Sequence, residues 1–98
     1  MGEYNYKNLT QYIGETVTLL DQAGNSAELT IAEVNKGTLD GDEWESFSVI
    51  YHAEKDLIIP QGIYTFEHRS FAQQQLFLTP NSEIEYETVV SRERAAAL

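Results

Sequence analysis

Apolar and polar residues alternate at period two along most of this chain, and that regularity constrains its fold more than any other feature. Successive side chains of a strand point to opposite faces, so the alternation marks sheet with one face buried. Val17 and Leu19 alternate with Thr16 and Thr18, and the turn formers Asp21-Gln22-Ala23-Gly24-Asn25-Ser26 follow. Ala27, Leu29 and Ile31 then share a face, but Val34 has the opposite parity. A β-bulge near Ala32-Glu33, or an early strand end, is the expected repair. Asn35-Lys36-Gly37 reads as a turn. Phe47, Val49 and Tyr51 come next on one face, and Ile50 on the other predicts partial burial of that second face. After the short apolar run Leu57-Ile58-Ile59, Pro60-Gln61-Gly62 reads as a type I turn. Tyr64, Phe66 and His68 form another face, Leu76 and Leu78 flank Phe77, and Ile84, Tyr86, Thr88 and Val90 alternate with Glu85, Glu87 and Val89.

The one helical signal is Leu9, Tyr12 and Ile13 at spacing i, i+3, i+4, with Asn8 as the expected cap and Gly14 as the stop. One short helix cannot cover a sheet of about six strands. The expected fold is therefore all-β, a mainly antiparallel small barrel or sandwich, with the Leu9 to Ile13 turn plugging one end. Ninety-eight residues make a single β domain, 1–98, since domains run to roughly 100–150 residues. Met1-Gly2 and Ala95-Ala96-Ala97-Leu98 read as vector-derived ends and are left out of functional reasoning.

Charge and composition narrow the function. Six Lys and Arg against sixteen Asp and Glu leave a net charge of −10, with the cations scattered. A phosphate-binding surface needs them clustered, so neither nucleic acid nor an anionic membrane is the expected partner. No apolar run approaches the ~20 residues of a bilayer span, and the amino terminus has no signal-peptide pattern. The absence of cysteine removes disulfides, thiolate metal sites and Cys nucleophiles, in keeping with a cytoplasmic protein.

Candidate chemistry is sparse. Asp40-Gly41-Asp42-Glu43-Trp44-Glu45 is oxygen-rich but lacks the Ca²⁺-loop spacing, so a solvated turn is expected. His52 and His68 sit near strand ends, where they could meet across a strand pair, yet two His without a defined third ligand make a weak metal signal. Ser70 beside Arg69 has no nucleophile context, and Gly37 and Gly41 stand in acidic sequence that would repel phosphate. Tyr51, Tyr64 and Tyr86 read as core-edge residues with wet hydroxyls, and Tyr4, Tyr6 and Tyr12 as the better candidates for an exposed contact. No catalytic, cofactor or metal residue is assigned.

The segment from Glu45 to Arg92 resembles a family of small bacterial domains known only as a domain of unknown function. The matching pieces are Glu45-Ser46-Phe47-Ser48-Val49-Ile50-Tyr51, Pro60-Gln61-Gly62-Ile63-Tyr64, Leu76-Phe77-Leu78-Thr79-Pro80 and Tyr86-Glu87 with Arg92. Ser70-Phe71-Ala72-Gln73 departs from the small-residue turn of that pattern. The resemblance implies a neighbourhood of phage-tail-like, collar-type proteins. The resulting expectation is a non-enzymatic interaction or structural module with a protein partner or self-association, accessory to a phage-tail-like assembly. It would make contact through an exposed edge strand, with Glu85 and Glu87 facing a basic surface. The alternative is a small-ligand or carbohydrate-binding β-barrel with a tyrosine-lined mouth; a metal-dependent hydrolase using His52 and His68 is a third.

Overall fold

A computed structural model describes residues 4–55 and 57–93, so the two expected vector-derived ends lie outside the described residues. Helix α1 (Tyr6–Thr10) is followed by strands β1 (Thr16–Leu20), β2 (Ser26–Lys36), β3 (Trp44–His52), β4 (Gly62–His68), β5 (Phe71–Pro80) and β6 (Glu85–Glu93). Every pairing is antiparallel, and the strands close into a barrel in the order β1-β2-β3-β6-β5-β4. Of the two expected architectures, this is the barrel.

The helix begins three residues earlier than expected, and the cap is Asn5 rather than Asn8. Asn5 is extended, and its side chain accepts the Asn8 N–H at 2.8 Å. Leu9 is its one buried residue, whereas Ile13 lies beyond the helix and is half exposed. Gly14, with φ near +94°, turns the chain into β1 and donates its N–H to Ile31 O at 2.7 Å.

Strand β2 serves two neighbours. Its first half, Ser26 to Thr30, pairs with β1, and its second half, Thr30 to Lys36, pairs with β3. The register shift falls between Ile31 and Glu33, where the parity break predicts a bulge, and it lets Val34 rejoin the core side opposite Val49. Asn35 and Lys36, expected in a turn, continue the strand opposite Ser48 and Phe47. The chain turns only at Gly37, where a Cβ would collide with the Ser46 side chain. The link from β3 to β4 crosses one end of the barrel and is no hairpin. Within it Ile59 is buried, while Ile58 is exposed.

Closure is uneven. β3 and β6 pair over their whole length, from Trp44↔Glu93 to His52↔Glu85. β5 and β6 pair only at Thr79↔Glu87 and Pro80↔Tyr86. Past that point they leave an open corner, and the residue that fills it comes from the other end of the chain. Tyr4 is 1% exposed, with its ring edge-on to Phe71 of β5 at 5.4 Å and tilted to Phe47 of β3 at 6.0 Å. Its hydroxyl lies 2.7 Å from the Tyr51 hydroxyl and 2.8 Å from that of Thr88, so three buried hydroxyls satisfy one another. Arg92 then donates to Tyr4 O at 2.9 Å and binds Glu45 at 2.7 Å, and Glu45 accepts the Tyr6 N–H. Around this plug the lumen is filled by Val17, Leu19, Leu29, Ile31, Val49, Phe66 and Leu78.

Tyr4→Ala should lose about 3–5 kcal/mol of stability in urea unfolding followed by circular dichroism, as large aromatic truncations do. Tyr4→Phe should lose about 1–3 kcal/mol, because the ring stays and the Tyr51 and Thr88 hydroxyls lose their partner.

Burial pushes the Tyr4 phenol up to about 12 and the Tyr51 phenol well above its ordinary value. The unfolded chain releases these protons near pH 10 and the fold holds them. Stability should thus be full below pH 10 and fall as pH rises towards 12, and Tyr4→Phe should make that fall shallower. The same unfolding series run at several alkaline pH values measures it.

Candidate functional site

The two histidines do not meet. In the barrel order, β2 and β1 separate β3 from β4 on one side, and β6 and β5 on the other, so His52 and His68 sit on non-neighbouring strands. His52 is exposed at the end of β3, with its Nε2 3.8 Å from the Glu85 carboxylate. Among the described residues no group of three His, Asp or Glu stands close enough to hold a metal ion.

His68 is a built feature all the same. Its side chain is 3% exposed at the floor of a groove between the start of β1 and the β4–β5 turn. The ring stacks on Phe71 at 4.8 Å, with an interplanar angle of 11°, and faces Tyr12 at 5.0 Å. The Ser70 backbone N–H donates to Nδ1 at 3.0 Å, which fixes Nδ1 as the acceptor of a neutral ring. Nε2 therefore carries the proton and donates to Glu15 at 2.8 Å. Both ring nitrogens are occupied, and Ser70 contributes its backbone to this arrangement. Of the Ser70-Phe71-Ala72-Gln73 segment only Ser70 lies in the turn; Phe71, buried, opens β5, and Ala72-Gln73 form a bulge in it.

The acidic stretch is a solvated turn with two structural anchors. Asp40 accepts the Ser46 N–H at 3.1 Å and Glu45 holds Arg92, while Gly41, Asp42 and Glu43 are exposed. Asp21 plays a similar part in the β1–β2 turn. Hydrogen bonds from the Asn25 side chain and backbone, and from the Ala23 N–H, hold its carboxyl below the usual value.

The tyrosines invert expectation. Tyr4, expected as an exposed contact, is the most buried of the amino-terminal three. Tyr6 is half-buried beneath the Lys36 ammonium at 5.2 Å, and Tyr12 is half-buried against His68. The hydroxyls expected to be wet have protein partners. Tyr51 bonds Tyr4, and Tyr64 donates to Pro60 O at 2.6 Å. Tyr86 accepts the Ile59 N–H at 3.2 Å and donates to Leu57 O, which pins the crossover to the barrel end. These rings fill the core or brace a loop, and the Tyr64 hydroxyl is exposed, as expected. The lost parity is physical: a closed barrel of this size turns every inward ring into core.

What the sequence reading missed lies on the outside. Ile63, Phe77 and Val89 are 60%, 50% and 67% exposed on β4, β5 and β6. Ile63 and Phe77 are register partners, and Val89 is the position opposite Phe77 if the Thr79↔Glu87 register is continued. Ile63 and Phe77 thus make an outward apolar pair on β4 and β5, and Val89 stands exposed on β6 across the split. Their signal was present in the sequence: each residue sits beside inward-facing apolar neighbours with the wrong parity for the core. Glu85 and Glu87 share the outer face of β6, as expected, and Glu87 accepts from Asn81 at 3.1 Å.

One family model, described as Domain of unknown function (DUF6916), matches residues 4–90. No curated protein and no solved structure matches the chain. No helix among the described residues is long and apolar enough to cross a membrane.

Long-range ¹H–¹⁵N correlation spectra should show the neutral His68 ring protonated on Nε2. Glu15→Ala should lower stability by about 1–2 kcal/mol, because the buried Nε2–H loses its acceptor.

Proposed function

We propose, from the premise that this chain belongs to the DUF6916 family of domains of unknown function, that it is a non-enzymatic protein-interaction module. Its contact surface is the outer face of β4, β5 and β6. The observation that carries this reading is the exposure of Ile63, Phe77 and Val89. Single exposed apolar residues are ordinary on any protein, but a paired Ile63 and Phe77 with Val89 exposed on the next strand make a patch of the kind a partner covers. The barrel interior supports the same reading, because it is filled by side chains. His68, the one buried histidine among the described residues, has both nitrogens engaged in structural bonds.

Charge selects the partner. At −10, two copies of this chain repel each other, whereas a basic protein surface is attracted and steered. An accessory place in a phage-tail-like assembly, the setting that the family resemblance implies, fits a small acidic module of this kind.

The test is quantitative affinity capture from a lysate of the source organism, comparing the native chain with Phe77→Glu/Val89→Glu. Both positions are at least half exposed, so the double variant should keep its fold. Captured proteins should fall at least tenfold with the variant. Equal capture by both proteins overturns the assignment of this face.

A further inference from the structure

We propose that the partner engages this face by strand addition: an extended, basic polypeptide segment pairs with β5 in the split between β5 and β6. The inference rests on the reading of the outer face given above and adds the mode of contact and the chemistry of the occupant. Phe71 and Gln74 to Leu78 of β5 have register partners on β4, with a bulge at Ala72-Gln73 between them, and from Thr88 to Glu93, β6 has partners on β3. Their facing flanks carry only the Thr79 and Pro80 pairs. Such a flank is a template for another strand.

Native edges are blunted with charges, prolines, bulges or short length. This one carries a bulge at Ala72-Gln73, opposite Glu67, and no other such device before Pro80. Phe71-Ala72-Gln73-Gln74-Gln75-Leu76-Phe77-Leu78-Thr79 contains no charge and no proline before Pro80, and the strand is ten residues long. Tyr4 seals the inner side of the split against Phe71 and Thr88, so an added strand would meet a floor of packed side chains and leave the core closed. On the outer side, Phe77 and Val89 flank the split and offer apolar contacts to alternate residues of the incoming segment. Charge gives the occupant its sign. β4, β5 and β6 carry Glu67, Glu85, Glu87 and Glu93 against Arg92, which Glu45 already neutralises. Lysine or arginine on the incoming strand is complementary to that field.

Amide hydrogen exchange on the full chain tests this, with three blocked ten-residue peptides as probes: alternating Val and Lys, the same sequence N-methylated at every residue, and a Glu-for-Lys version. The Val/Lys peptide should slow exchange at least tenfold within residues 71–78 and 88–93, and the other two should leave it unchanged. Protection by the N-methylated peptide overturns strand addition, because that peptide has no N–H to donate. Equal protection by the Glu peptide overturns the basic occupant. No protection by the Val/Lys peptide at millimolar concentration overturns the proposal outright. The capture assay separates the two readings: loss of capture with Phe77→Glu/Val89→Glu but no protected split leaves an interaction face that works through side chains alone.

Discussion

The barrel depends on closing a corner that its own strands leave open. A sheet with one apolar face and a single five-residue helix must curl on itself to remove that face from water. The pairing of β5 with β6 stops after two residue pairs, so curling alone leaves an opening onto the core. Tyr4 fills it. The ring replaces the missing side-chain layer between Phe47 and Phe71, and the hydroxyl meets those of Tyr51 and Thr88 on the strands it joins. Arg92 holds the backbone of the same residue to β6 while gripping Glu45 on β3.

That arrangement limits where function can reside. The lumen is packed with rings and branched side chains, and among the described residues every buried polar side-chain atom has a hydrogen-bond partner. What remains for recognition is the outer surface, strongly acidic overall but with apolar residues exposed beside the β5–β6 split. The place where the ladder fails thus carries exposed apolar residues on both flanks, Phe77 and Val89.

Much of the architecture was legible from parity. The bulge near Glu33, the inward sets on β3, β4 and β6, and the partial burial of Ile50 all follow from alternation. The errors arose where local patterns compete. Asn5 and Asn8 are both able caps, and only the placement of Leu9 in the core selects the first. Asn35-Lys36-Gly37 has turn composition, yet pairing with Ser48 and Phe47 extends the strand through its first two residues. The tyrosines misled for a different reason. A phenol is equally at home at a wet edge or in a core with a partner, and the partners of Tyr4 stand 47 and 84 residues away.

By itself, the sequence determined the strand content, the inward faces, the acidic surface and the absence of cysteine chemistry, because each of these depends on residue type and on neighbours a few positions apart. Only the tertiary structure decided that the sheet closes, that Tyr4 is its plug, that His52 and His68 stay apart, and that Ile63 and Phe77 pair on the outer face. All four depend on strand order. With a side-chain period of two, alternation says which way a residue faces and nothing about which strand lies beside it.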